Sequence, residues 1–470
     1  MGGMEMQPGA LLPEIFLLIG ALACLVGGSF LPRRRQHVAR LIAIGALVAA
    51  TLAAAADLSA APSSVFEMTY AVDTLTGAAR ILISVSTLLV ICLGVDELAG
   101  DARESETYCL LLLAALGAVL LAGADDLLLV VTGYLLASIP LNGLVGLART
   151  GPAAEAAMKT YLMGALLGIG LMLGVVMLYG LAGTTTYSEL STELAGAPPT
   201  AVAFGTVAIL GGLMFKAGAV PGHFWVPDAA QGTSATAAAF LTTAPKIGAV
   251  VATYRLVLEL PATVDWAILI AALAALSMTL GNLAALGQTD PRRLLGWSTV
   301  SQAGYALVPV AAAGASDLAQ PSMLFFLAGY ALTNVTAFAV VAAHPQLRTL
   351  ASYRGLARTH PGTIAALVVS LLGLVGTPPT ALFVGKLTTA TAAWDGGLAW
   401  LAVTVMLNSV VSLVYYLRWV VPAFLPPKAD ESATDRAGAV RPWATRTAQT
   451  AGVASVLLGV GAGLAWTFLV

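Results

Sequence analysis

Met214-Phe-Lys-Ala-Gly-Ala-Val-Pro-Gly-His-Phe-Trp-Val-Pro-Asp228 closes an apolar run that begins near Thr200, and it sets a lysine, a histidine and two prolines where an uninterrupted helix would otherwise continue. A charged side chain at the centre of a bilayer costs ~2.5 kcal/mol or more, so a lysine in such a run implies a partner, a water-filled cavity or a function. Snorkelling to the headgroups from a helix end explains a single lysine equally well. Pro221 removes a backbone donor and breaks the helix, and carbonyls freed at membrane depth must be buried in protein or meet water. The other lysines favour an internal role. Of five, Lys159, Lys216, Lys246 and Lys386 lie within or at the edge of apolar runs, and only Lys428 lies in an evidently polar loop.

The composition agrees. Of 470 residues 59% are hydrophobic and 10% charged, against roughly 25% charged in a soluble globule, so the chain is expected to be a polytopic membrane protein. A formal net charge of -2 excludes a basic nucleic-acid binder. Cys24, Cys92 and Cys109 fall in apolar runs without metal-ligand spacing and read as buried small residues, so no iron–sulfur, haem or zinc site is expected. The start of the chain lacks the basic region and cleavage site of a signal peptide, so the first apolar run is expected to persist.

Fourteen runs meet the ~20-residue spanning criterion, among them 200 to 220 (seventh), 233 to 255 (eighth) and 363 to 383 (twelfth). With the first tail outside, one set of loops collects Arg33, Arg34, Arg35, Arg40, Arg103, Arg149, Arg292, Arg293, Arg348, Arg354, Arg358, Arg418, Lys428, Arg436, Arg441 and Arg446, while the opposite set holds only Arg255. The positive-inside rule then puts both termini on the outer face of a bacterial cell membrane. The polar loops 184 to 199 and 421 to 447 are too poor in apolar residues for soluble domains and serve as connectors.

Gly376-Thr-Pro-Pro-Thr-Ala-Leu-Phe-Val-Gly-Lys386 on the twelfth helix again sets a lysine beside helix-breaking prolines, five helices after the first such break. An odd spacing inverts orientation, as in transporters built from inverted repeats. The expected architecture is all-α, with about fourteen transmembrane helices, broken helices seven and twelve, and two inverted five-helix repeats. The segments are 1–106 (helices one to three), 107–256 (first repeat), 257–420 (second repeat) and 421–470 (loop and last helix).

A lysine held away from water is disfavoured as a cation, so it can load and unload a proton under a neighbour's influence. Lys216, Lys246 and Lys386 sit on helices seven, eight and twelve, and His223 adds a group that titrates near neutrality. Thr242, Thr243, Ser298, Ser301, Gln302 and Tyr305 can hold waters between them or simply join helices. Asp125 and Asp126 read as a solvated helix N-terminus, and Glu14 as interfacial. Asp73 and Arg80 share a face of helix three, and Arg80 needs a partner at that depth.

These stretches, with Met278-Thr-Leu-Gly-Asn282, Arg292-Arg-Leu-Leu-Gly-Trp-Ser298 and Leu407-Asn-Ser-Val-Val-Ser-Leu-Val-Tyr-Tyr-Leu-Arg418, resemble the antiporter-like membrane subunits of proton-pumping NADH:quinone oxidoreductase, respiratory complex I. The resemblance runs from Leu12 to Arg418, and lysine rather than glutamate at 386 marks one branch of the family. It implies that Lys216, Lys246, Lys386 and His223 carry protons. It also implies that this chain binds no cofactor, and that NADH, FMN, iron–sulfur clusters and quinone belong to partner subunits of the complex. Two departures stand out. Leu135, in Thr132-Gly-Tyr-Leu-Leu-Ala-Ser-Ile-Pro140, occupies the place of the family's usual glutamate, and Gln302 that of a common histidine. They fit a divergent paralogue, and the alternatives are a cation/proton antiporter subunit or a structural subunit with impaired transport.

Overall fold

The computed structural model describes residues 8–58, 62–262, 264–426 and 440–469. The helices are α1 (Leu12–Phe30), α2 (His37–Asp57), α3 (Thr74–Leu98), α4 (Glu104–Gly123), α5 (Leu127–Gly146), α6 (Gly151–Ala182), α7 (Tyr187–Glu193), α8 (Pro199–Ala217), α9 (Trp225–Gly232) and α10 (Ala235–Leu258). They continue with α11 (Trp266–Leu286), α12 (Pro291–Ala311), α13 (Ala319–Ala343), α14 (Leu356–Thr359), α15 (Pro361–Val375), α16 (Ala381–Asp395), α17 (Ala399–Phe424), α18 (Pro442–Val460) and α19 (Ala462–Trp466). Between α2 and α3 a hairpin pairs β1 (Ser63–Val65) with β2 (Tyr70–Val72), Ser64 opposite Ala71. Among the described residues the regular structure is otherwise helical.

Eleven of the described helices are long and apolar enough to cross a membrane. The other three expected spans map to α12, to the α15 and α16 pair, and to α18. α12 is too polar for the criterion because Ser298, Thr299, Ser301 and Gln302 all point into the protein and are buried. α15 and α16 have 15 residues each. α18 carries Thr445, Thr447, Gln449 and Thr450.

Helices seven and twelve are broken: α8 stops at Ala217 and α9 starts at Trp225, while α15 stops at Val375 and α16 starts at Ala381. The connector expected over 421 to 447 is shorter, since α17 runs to Phe424 and α18 begins at Pro442; Lys428 and Arg436 lie outside the described residues. α6 starts at Gly151, ahead of the expected 157, because the Thr150 hydroxyl accepts from Ala153 N (3.2 Å) and caps it.

α10 is the hub. Its spanning window is entirely buried, whereas α6 shows Met158, Leu162, Leu166, Ile169, Leu173 and Val176 outward. Steps of three and four residues put these six on one helical face, the apolar side a lipid-facing helix presents.

The ends of the bundle differ in kind. One gathers the arginines: Arg40 pairs with Glu104 (3.6 Å), Arg441 with Glu97 (3.3 Å), and Arg293 with Asp228. At the other end Arg80, fully buried, finds partners other than Asp73. Its guanidinium donates to both carboxylate oxygens of Glu14 (2.8 and 2.9 Å), to Asp57 (3.2 Å) and to Ala10 O (2.8 Å). Glu14 is therefore a buried ion-pair partner rather than interfacial, 5% exposed. Asp73 instead caps α3 through Thr76 N (2.8 Å) and binds Arg255 (2.6 Å). Asp126 caps α5 as expected, accepting from Leu128 N (2.7 Å) and Leu129 N (3.3 Å), but it is buried rather than solvated. The neighbouring Asp125 carboxyl is pushed up by burial, with Asp73 and Asp126 adding to the effect and Arg255 opposing it.

Candidate functional site

Each break leaves carbonyls that the local backbone does not satisfy. At the end of α8, Gly218 takes the left-handed conformation (φ +71°), Gly218 N donates to Phe215 O (3.1 Å) and Ala219 N to Met214 O (2.9 Å). That turn closes Met214 O and Phe215 O and leaves Ala217 O without a backbone donor. Lys246, from α10, donates its ammonium to it. Trp225 Nε1 takes Phe215 O (3.1 Å) and Ser277 Oγ accepts from Val220 N (2.9 Å), so the broken segment is fixed on both sides. The peptide bonds before Pro221 and Pro379 are cis.

The second break repeats the solution. Gly376 (φ +92°) ends α15, Gly376 N donates to Gly373 O (2.8 Å) and Thr377 N to Leu372 O (3.1 Å). Leu374 O and Val375 O are left over, and Lys386 Nζ donates to them at 2.8 and 3.0 Å. A cation against a helix C-terminus also meets the negative end of its dipole. The two breaks were expected to share a lysine beside a proline; the structure pairs them through Lys246 and Lys386, while Lys216 precedes its break.

Lys216, 1% exposed in the last turn of α8, donates to Ser138 Oγ (2.5 Å) and lies over the Tyr134 ring (5.1 Å) and the Phe215 ring (5.9 Å). Among the described residues it has no carboxylate partner. Leu135 is 38% exposed on the outer side of α5, so Tyr134 and Ser138 are the α5 residues that touch Lys216. Lys159 is not internal: it is 43% exposed and pairs with Glu155 (2.7 Å) and Asp228 (2.8 Å). His223 is buried in the first break against Phe224 (4.1 Å between ring centroids) and Trp297 (5.8 Å). Its ring bonds none of the three lysines, and Nδ1 has no partner.

From Lys246 a polar track crosses the bundle. One turn earlier on α10, Thr242 Oγ1 and Thr243 Oγ1 accept from Asn334 Nδ2 (2.9 and 2.8 Å). Tyr330 donates to Thr242 O (2.6 Å) and to Thr299 Oγ1 (3.2 Å) on α12. One turn further along α12, Gln302 Nε2 donates to Leu374 O (3.0 Å), the carbonyl that Lys386 also holds. Beyond Lys386 lie Ser409 Oγ (3.4 Å) and Tyr305. Asn334 Oδ1, Ser301 Oγ and Gln302 Oε1 are buried with no protein partner. Ser298 instead joins helices, bonding Tyr416 OH (2.6 Å). Thr299, Tyr330, Asn334 and Ser409 were not singled out from the sequence. A lone asparagine inside an apolar helix was the signal for Asn334, since such a group faces an interior polar partner.

Broken helices whose free carbonyls are capped by buried lysines, in a membrane-spanning bundle, define an antiporter-like membrane protein. Residues 124–412 match the family described as "NADH:quinone oxidoreductase/Mrp antiporter, TM". The chain is 58% identical, over 98% of each chain, to the NADH-quinone oxidoreductase subunit N of Mycobacterium sp. (strain JLS). It superimposes on a chain of respiratory complex I from Thermus thermophilus with bound aureothin, with a TM-score of 0.82, 31% identity, and coverage of 97% of this chain and 98% of that one. A chain of the Mrp complex from Dietzia sp. DQ12-45-1b is alike in fold alone, with a TM-score of 0.85, 22% identity, and coverage of 98% and 96%. The chain belongs to the subunit N family of NADH-quinone oxidoreductases.

Proposed function

We propose that this chain is the proton-translocating membrane subunit of a multi-subunit NADH:quinone oxidoreductase, an enzyme of the translocase class. Partner subunits hold NADH, FMN, the iron–sulfur clusters and quinone. The observation that carries the reading is the polar lining between Lys246 and Lys386, two buried amines at two helix breaks with hydroxyls and amides of α10, α12 and α13 between them. Protons move along it between the lysines, with the free oxygens of Asn334, Ser301 and Gln302 available to water. Gln302, unlike histidine, cannot take up a proton itself, so it orients rather than carries. His223 lies at the first break and acts with Lys246 through water.

The architecture that suits this role has fourteen spans, with 1–106 preceding inverted repeats at 107–256 and 257–420, and 421–470 closing the chain. The arginine-rich end faces the cytoplasm of a bacterial cell membrane and both termini face outward. Inverted vesicles carrying Lys246→Ala or Lys386→Ala are expected to lose NADH-driven proton uptake at least tenfold while keeping an assembled complex that oxidises NADH with an artificial acceptor. Unchanged uptake in both variants refutes the role. A second reading, a subunit whose first half-channel is impaired, is favoured by the lack of a carboxylate at Lys216 among the described residues.

A further inference from the structure

Lys386 is 3% exposed, and every hydrogen-bond acceptor around its ammonium is neutral: Leu374 O, Val375 O and, at 3.4 Å, Ser409 Oγ. No carboxylate pairs with it among the described residues. Its Nζ does lie 3.8 Å from the centroid of the Tyr305 ring, well inside the ~6 Å reach of a cation–π contact. The ring is fully buried and held on both sides: Tyr305 OH shares Ser409 Oγ with the lysine at 3.2 Å, and its plane stacks on Phe326 (centroids 6.3 Å apart, 27° between planes), which stacks on Tyr330 (6.5 Å, 4°). Lys216, also buried and without a carboxylate among the described residues, lies over a tyrosine face too, that of Tyr134, at 5.1 Å, whereas Lys246, equally buried, has only the carbonyl of Ala217.

An aromatic face carries negative quadrupole charge, so it attracts the ammonium and does little for the neutral amine. Carbonyls do not discriminate as sharply, because the neutral amine still donates two N–H bonds to them. The ammonium and the ring are both buried from bulk solvent, and there the attraction reaches its larger values.

We propose that the ring face of Tyr305 is the counter-group of Lys386, stabilising the protonated lysine at the second break where a carboxylate is missing. Tyr305 is a positioning residue, and the proposal rests on the proton-carrying role of Lys386 argued above.

The test replaces residue 305 in the assembled complex with leucine, with phenylalanine, and with phenylalanines bearing one, two and three ring fluorines, which drain the π face at nearly constant size. NADH-driven proton uptake by inverted vesicles is divided by NADH oxidation with an artificial acceptor. Tyr305→Phe is expected to keep uptake within about threefold, each fluorine to lower it further, and Tyr305→Leu to lower it at least tenfold. Uptake that is the same across the fluorinated series, with Lys386→Ala severely impaired, overturns the counter-group and leaves the lysine's role intact. Normal uptake in Lys386→Ala overturns the role itself and the proposal with it. Should the leucine variant fail to assemble, the fluorinated series still decides, since those side chains fill the same space.

Discussion

Leu135 and Lys216 set the first problem at the scale of single residues. A carboxylate within ~4 to 6 Å of a lysine favours its cation by 1–3 pH units of proton affinity, and Lys216 has instead the hydroxyl of Ser138 and two aromatic faces. Lys246 and Lys386 each hold helix-end carbonyls, whereas Lys216 holds none, so transport is expected to depend on it least. Lys216→Ala should therefore reduce NADH-driven proton uptake by less than fivefold, against at least tenfold for Lys386→Ala; equal and severe losses would mean that a partner subunit supplies the missing charge. Leu135→Glu is a poor repair, since the side chain at 135 starts on the exposed side of α5, and Ser138→Glu puts a carboxylate on the side that touches Lys216. Much of this site was legible in the sequence, because a lysine in an apolar run is costly enough to be conspicuous. Lys159 was the exception. It reads as internal from its neighbours in the chain, yet Asp228, 69 residues away, draws it to the polar end.

Among the elements, the two breaks show what sequence conveys and what it leaves out. Proline and glycine announce that α8 and α15 must stop, and they say nothing of which side chain then meets the free carbonyls, because that partner comes from another helix or from the far side of the break. Lys246 caps α8 from α10, 29 residues on. Gly218 makes the arrangement testable. A methyl group there collides with Lys246 Nζ and comes within 2.8 Å of Val226 Cγ2, and alanine at φ +71° is strained by ~1–2 kcal/mol. The ammonium, at the end of a flexible side chain, gives way first. Gly218→Ala is thus expected to leave the complex assembled but to cut proton uptake several-fold, as vesicle assays would show. Gly211→Ala, whose methyl meets only Leu167 Cδ2 at 3.8 Å within α8, should do neither harm.

For the whole molecule the arginines supply an axis. Fourteen of those assigned to one side from the loops are described, and their contacts bring that side together: Arg40 with Glu104, Arg441 with Glu97, Arg292 with Thr233 O (2.8 Å) and Arg418 with Leu286 O. These contacts join the start of α2 to that of α4, the start of α18 to the end of α3, and the starts of α12 and α10, so these ends lie on one side of the bundle. Which end faces the cytoplasm is a separate question, and the bias of lysine and arginine near short loops predicts it. Arg80 and Arg255 lie at the opposite end, but Arg80 is paired with Glu14 and Asp57, and Arg255 is held by Asp73 and Thr76 Oγ1 (2.6 Å each) and by Ala122 O (2.8 Å), so little of either charge faces the headgroups. The arginine-rich end should then be the cytoplasmic one. Single cysteines at exposed positions test this in intact cells: Glu193→Cys is expected to react with a membrane-impermeant maleimide, and Asp101→Cys to react only after the membrane is opened. Cys24 and Cys109 are buried and Cys92 is half-buried, so the background from native thiols should be low. Labelling of position 101 but not 193 in intact cells would invert the molecule, and with it the direction of the proton transfer proposed for Lys246 and Lys386.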